Sequence, residues 1–270
     1  MTHTPIGIFD SGVGGLSVLR ELRRQLPAED LLFLADQAHV PYGRRSLSQV
    51  RDFSREITSY LLSQGAKLIV VACNTASAAA LHYLRESFPE VPFVGMEPAV
   101  KPAAEQTQSG IVGVLATPAT FQGELYNSVV ERFAKGVTVL KDTCQGLVAQ
   151  IESGDLDTLA TRTILEKALH PMLERGVDRV VMGCTHYPFV IPLIEEVAGP
   201  EVEVIDPAPA VARQVGRVLD ARGLSKPGAS LGAVQYLTTG DPAKLSALLP
   251  RLVGEENLVE SLHWDSDRLI

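Results

Sequence analysis

Short apolar runs recur along the chain at Ile6–Phe9, Leu31–Leu34, Leu68–Val71, Val91–Gly95, Ile111–Leu115, Val137–Leu140, Val180–Met182 and Val202–Ile205. They are rich in β-branched residues, and apolar continuity without strict alternation predicts strands buried on both faces. Helix-like stretches follow most of them: Leu16–Leu26, Leu47–Gln64, Ala76–Ser87 and Ser128–Phe133. Strand and helix in alternation predict an α/β fold with mainly parallel sheets.

The pattern also repeats. Gly65–Thr75 (GAKLIVVACNT) lies beside Gly176–His186 (GVDRVVMGCTH), and each copy runs eight positions from its glycine to its cysteine. The offset between Cys73 and Cys184 is 184 − 73 = 111 residues. Val94–Ala99 echoes Val204–Ala208 at 207 − 98 = 109, measured between Pro98 and Pro207. Ile6–Ser11 matches Val112–Thr117 at 113 − 7 = 106, and Leu34–Asp36 matches Leu140–Asp142 at the same offset. Four matches in one order predict two copies of an α/β unit, at about residues 1–97 and 98–207. The tail, 208–270, carries two helix-like stretches, Ala210–Ala221 and Pro242–Leu252, with a strand at Val234–Thr238 between them, and is expected to return to the first domain. The expected architecture is therefore two pseudo-symmetric, doubly wound parallel-sheet domains. Ligands of such sheets sit at the carboxyl ends of the strands, so two halves facing each other would share one cleft.

Composition narrows the partners. With 46% apolar and 21% charged residues the chain reads as an ordinary globular protein. A net charge of −8 disfavours nucleic acid and anionic membranes. No run approaches the ~18 apolar residues of a membrane span, and Met1–Phe9 has neither the charged nor the long apolar region of an export signal. The three cysteines, 73, 144 and 184, make no disulfide framework and no CxxC pair, which speaks against zinc and thioredoxin-type chemistry. A cytoplasmic, reduced protein is expected.

Cys73 ends a strand and precedes a good helix start that Asn74 or Thr75 can cap. A helix N-terminus stabilises a thiolate. Cys184 has the same setting by sequence, with Pro188 early in the following helix. One such cysteine reads equally well as a small buried apolar residue; two at matching positions of a repeat point to function. His186, two residues past Cys184, can assist its thiol or simply pack locally. The matching position in the first copy is Thr75, so imidazole assistance is one-sided. His39, His82 and His170 read as structural or surface residues, and Cys144 as structural.

Asp10–Ser17 (DSGVGGLS) follows the first strand and opens a helix. It partly matches a dinucleotide fingerprint, with Asp36 where a ribose-binding acid would stand. However, Ser17 holds the third glycine position, and Asp10 would repel a pyrophosphate. Asp10 fits better near an ammonium group or as a proton-handling partner of Cys73; a turn aspartate is the alternative. Pro41-Tyr42-Gly43 reads as a lid or wall whose N–H groups could meet a carboxylate, or as a plain turn. Glu152 alone reads as a surface residue near a helix end, or as an acid behind the site.

The chemistry that uses two such thiols is inversion of a stereocentre beside a carboxylate. One face needs a base and the other an acid, and a thiol with an unperturbed pKa of ~8.5 can serve as either. Several segments together resemble the glutamate racemase family of the aspartate/glutamate racemase superfamily over nearly the whole chain. They are Ile8–Leu16, Ala35-Asp36 with Pro41-Tyr42-Gly43, Ala72–Ala76, Gly183–Pro188 and Ile205–Ala208. The resemblance implies a cofactor-independent enzyme that interconverts L- and D-glutamate and supplies cell-wall precursors, often as a homodimer. It implies that Cys73 deprotonates D-glutamate with support from Asp10, and Cys184 deprotonates L-glutamate with support from His186. Glu152 matches a family acid. Substrate contacts would fall to Asp10, Ser11, Tyr42, Gly43, Asn74, Thr75, Thr185 and His186. The rival readings are a racemase of aspartate or another amino acid, and a non-catalytic two-domain protein that closes on a small anion.

Overall fold

The computed structural model describes residues 4–228 and 230–270. Residues 1–3, part of the stretch inspected above for an export signal, and residue 229 lie outside the described residues. In chain order the elements are β1 (Ile6–Asp10), α1 (Leu16–Gln25), β2 (Leu31–Ala35), α2 (Leu47–Ser63), β3 (Leu68–Val71), α3 (Asn74–Ser87) and β4 (Phe93–Gly95). Then come α4 (Val100–Gln106), β5 (Ile111–Ala116), α5 (Pro118–Gln122), α6 (Glu124–Phe133), β6 (Thr138–Asp142), α7 (Leu147–Glu152) and α8 (Leu159–Leu173). The chain ends with β7 (Arg179–Gly183), α9 (Ile191–Ala198), β8 (Glu203–Ile205), α10 (Ala208–Arg222), β9 (Val234–Thr238), α11 (Pro242–Val253), β10 (Val259–Ser261), β11 (Trp264–Asp265) and β12 (Arg268–Leu269).

Two compact units result. One takes the chain up to Met96 and again from Ala208 to Ile270; the other is Glu97–Pro207. In the first, six parallel strands run in the order β10-β9-β2-β1-β3-β4. In the second, four parallel strands run β6-β5-β7-β8. The order β2-β1-β3-β4 recurs as β6-β5-β7-β8, so the sequence repeat is a repeat of topology. The central strands β1, β2 and β3 are buried at every position, as continuous apolar runs require when helices cover both faces. Helices α2 and α3 pack together, and α1 packs with α10 and α11, on the tail that rejoins the first unit.

The segment Glu255–Ile270, whose sequence carries no recognisable motif, adds β10 to the sheet edge and closes with an antiparallel hairpin of β11 and β12. Leu262 and Leu269 bury into the core on the α2–α3 side. Helices α4, α5, α7, α8 and α9 were not singled out by the run pattern. Three of them are short, and α8 hides its start behind the Thr158 cap, whose side chain accepts from Thr161 N. Among the described residues no helix is long and apolar enough to cross a membrane.

The turn after β1 places Asp10. Its Oδ2 accepts from Gly15 N at 2.6 Å and its Oδ1 from Ser11 N at 2.7 Å. Gly15 has ordinary helical φ, so space alone dictates a glycine: a Cβ there would lie 2.7 Å from Asp10 Cβ and 3.0 Å from Phe33 Cε2. Gly15→Ala is expected to destabilise the first unit by about 1–3 kcal/mol. Urea unfolding of the variant and the parent checks this; equal midpoints would contradict the close approach.

Candidate active site

In the first unit the relevant side chains gather at the carboxyl ends of β1, β2 and β3. Cys73 is buried and is itself the N-cap of α3. This corrects the expectation that Asn74 or Thr75 caps the helix: both are already inside its first turn, and the Cys73 side chain makes no capping hydrogen bond to the helix N–H groups. The correction favours the chemistry, because the sulfur sits where the helix's unpaired N–H groups and dipole favour an anion. The Cys73 thiol lies 3.9 Å from Ser11 Oγ and can donate to it, and Ser11 Oγ in turn lies 3.2 Å from Asp10 Oδ1. Asp10 thus serves the turn and also stands one hydroxyl away from the thiol.

Asn74 and Thr75 are buried at the same helix end. Among the described residues, neither amide atom of Asn74 has a hydrogen-bond partner. A buried amide left unpaired costs about 1–3 kcal/mol, so it marks a place that a polar ligand would complete. Tyr42 is buried, and its hydroxyl donates to Asp36 Oδ2 at 2.6 Å. Burial pushes the Tyr42 phenol well up, and Asp36, Cys73 and Asp10 push it further, so it remains a neutral donor. Tyr42–Arg44 forms a tight turn of 3-10 helix, with half-buried Gly43 inside it.

Asp36 closes the dinucleotide question. It is fully buried, and its carboxylate also receives Thr239 Oγ1 and Trp264 Nε1 at 2.7 and 2.8 Å. A carboxylate so occupied by its own chain has no acceptor left for a ribose. Its partner Trp264 had no signal in the sequence, because the contact spans the fold.

In the second unit the C-terminal end of β7 carries Cys184, Thr185 and His186, all buried. Gly183 permits this: a Cβ there would sit 2.7 Å from Ala116 Cβ and 3.0 Å from the Leu115 carbonyl oxygen of β5. The expected helix start is corrected here. Tyr187–Val190 forms a 3-10 turn, and α9 begins only at Ile191, so Cys184 lacks the helix N-terminus that Cys73 has. An imidazole stands in its place. His186 Nδ1 lies 3.8 Å from Cys184 Sγ, and His186 Nε2 lies 2.6 Å from Glu152 Oε1 at the end of α7. Glu152, unremarkable in sequence, is thereby the partner that orients the ring. Burial alone would depress the His186 pKa, but the hydrogen bonds and charges of Cys184 and Glu152 outweigh it and hold it well above 6.5. Tyr187, missed by sequence reasoning although it adjoins His186, is buried beside the thiol. Burial raises its phenol, and Cys184, Cys144 and Asp142 raise it further. Cys144 is buried and pushed well up by that burial and by Asp142, as suits an inert thiol.

Because the folded state prefers the His186 cation, this histidine contributes stability that is complete below pH ~6.5 and fades as pH rises through the raised folded value. An NMR titration of the His186 ring is expected to give a midpoint above 6.5, and Glu152→Gln is expected to lower it. A midpoint at or below 6.5 in the parent would contradict the ion pair.

Residues 6–215 match the family model described as Asp/Glu/hydantoin racemase. A glutamate racemase of Roseiflexus sp. (strain RS-1) is 52% identical over 249 residues, covering 92% of this chain and 92% of that protein. The glutamate racemase of Francisella tularensis, solved in complex with D-glutamate, superposes with a TM-score of 0.84 at 28% identity, over 98% of this chain and 100% of that one. The Escherichia coli enzyme, solved with L-glutamate and an activator, gives 0.83 at 31% identity, over 96% and 98%. With the strand order, the paired cysteine segments and these likenesses together, the chain belongs to the Asp/Glu/hydantoin racemase family and, within it, to the glutamate racemases.

Proposed function

We propose that this protein interconverts L- and D-glutamate by moving the α-proton between two thiols, without a cofactor. The observation that carries the reading is that the two cysteines at matching positions of the repeat, Cys73 after β3 and Cys184 after β7, are both buried and each reaches an acid through one intervening side chain. The two relays are Cys73–Ser11–Asp10 and Cys184–His186–Glu152. In one direction the Cys73 thiolate takes the α-proton of D-glutamate and the Cys184 thiol protonates the opposite face of the carbanion. The reverse direction starts from the Cys184 thiolate and L-glutamate. Each turnover ends with one thiol and one thiolate exchanged, so atoms and electrons balance with these two groups alone.

The α-proton is hard to remove because its carbanion lies beside an already negative carboxylate. The helix N-terminus at Cys73 and the Asn74 amide are donors suited to that charge, while Tyr42, whose one hydroxyl proton goes to Asp36, offers its oxygen as an acceptor to the substrate ammonium. Asp10, Ser11, Gly43 and Thr75 from the first unit, and Thr185 and His186 from the second, complete the proposed substrate contacts. Asp10 supports Cys73, and a protonated His186 supports Cys184 in its thiolate form, while Glu152 keeps that imidazolium in place. The glutamate complexes of the Francisella and Escherichia enzymes support the substrate, and the relatives' shared name supports a place in peptidoglycan precursor supply. A homodimer working in the cytoplasm is part of the same reading.

Cys73→Ser and Cys184→Ser are each expected to cut racemisation of glutamate by on the order of a hundred- to ten-thousand-fold. In deuterated solvent, the Cys73 variant should lose α-exchange of D-glutamate more than of L-glutamate, and the Cys184 variant the reverse. Circular dichroism follows the racemisation and proton NMR the exchange. Near-normal activity in either variant would sink the two-thiol reading, and faster turnover of aspartate than of glutamate would sink the substrate assignment.

A further inference from the structure

The C-terminal segment belongs to no motif, yet it delivers the single tryptophan of the chain to the most heavily used carboxylate of the first unit. Asp36 Oδ2 holds Tyr42 Oη at 2.6 Å and faces His39 Nδ1 at 2.9 Å. Its Oδ1 holds Thr239 Oγ1 at 2.7 Å and Trp264 Nε1 at 2.8 Å. Four groups from the β2 loop, the end of β9 and the terminal hairpin therefore fill the roughly four acceptor positions of one carboxylate. The rings pack around it as well. His39 stacks on Phe53 at 3.8 Å, Trp264 stands 5.6 Å from Phe53, and Tyr42 stands 5.8 Å from the same ring.

The hairpin that carries Trp264 is itself tied down. His263 and Ile270 exchange both backbone hydrogen bonds, at 2.9 and 3.0 Å. Leu262 N donates to the Thr238 carbonyl of β9 at 2.7 Å, and Leu269 N donates to Glu56 Oε1 of α2 at 3.3 Å. A rigid donor on a tethered hairpin fixes the rotation of a buried carboxylate, and that carboxylate in turn fixes the phenol that faces the Cys73 side of the site.

We propose that Trp264 is a positioning residue for the racemisation: its indole N–H, supplied by the C-terminal hairpin, orients Asp36 so that the Tyr42 hydroxyl and the adjoining Gly43 turn are set for the substrate. The proposal rests on the reading above that Tyr42 and Gly43 contact glutamate. Loss of the N–H leaves the Asp36 Oδ1 atom with Thr239 alone and frees the carboxylate to turn, which loosens the wall without touching either thiol. The effect falls on binding rather than on proton transfer.

Two measurements on the full-length protein test it. First, Trp264→Phe keeps a ring in the aromatic cluster and removes only the donor. It is expected to raise KM for glutamate by about fivefold to tenfold while kcat stays within about twofold. Second, the emission of the sole tryptophan in the unaltered enzyme is expected to change saturably as glutamate is added. A purely structural clip would lower thermal stability and leave both readouts unmoved. An unchanged KM in Trp264→Phe, or a glutamate-indifferent emission in an active parent enzyme, overturns the proposal. If Trp264→Phe does not fold, the emission titration decides alone. Absence of glutamate racemisation in the parent would instead overturn the function proposed above, so the two failures are distinguishable.

Discussion

A thiol that must alternate between base and acid has to hold a negative charge while shielded from water, and a buried charge persists only beside a compensating partner. In the proposed reaction that constraint falls on Cys73 in one unit and Cys184 in the other. The carboxyl end of a parallel sheet is suited to meeting it, because strand ends, helix starts and loops converge there with unpaired N–H groups. Cys73 and Cys184 stand at that end at matching positions of the repeat, and nearly everything described around them is a donor, a hydroxyl or an acid held in place by another group.

The two halves meet the constraint differently, although their sheets repeat. Cys73 is the N-cap of an α-helix and reaches an aspartate through a serine hydroxyl. Cys184 is followed by a 3-10 turn, so it lacks that helix end and has an imidazole held by Glu152 instead. In the repeat register Thr75 occupies the place of His186, and this one exchange follows the difference in local backbone. Where a helix supplies the positive field no cation is required; where the turn is tight, the cation is supplied by a side chain whose proton the surroundings retain.

Support for the first site also comes from far along the chain. Asp36 is an internal hub: it accepts from a loop tyrosine, a strand-end threonine and the terminal tryptophan, so residues some 200 positions apart share one carboxylate. Buried polar networks of this kind are stable only when every member is satisfied. The last residues of the chain are thus bound to the first sheet by β10 and the hairpin, and also by the hydrogen bond from Trp264 to Asp36.

The repeat of apolar runs, the parallel α/β character, the glycine turn after β1 and the two cysteine segments were legible in the sequence, because strand burial and tight turns are local demands that leave period and composition behind. Glu152 reads alone as a surface acid, Asp36 as a possible ribose ligand and Trp264 as nothing in particular. Tertiary structure alone decided their partners, by bringing a helix end to His186 and a terminal hairpin to the loop after β2. It also decided that Cys73 caps a helix and Cys184 does not, since a cap is set by the backbone angles of the folded turn, and near-identical strand-to-cysteine spacings permit either.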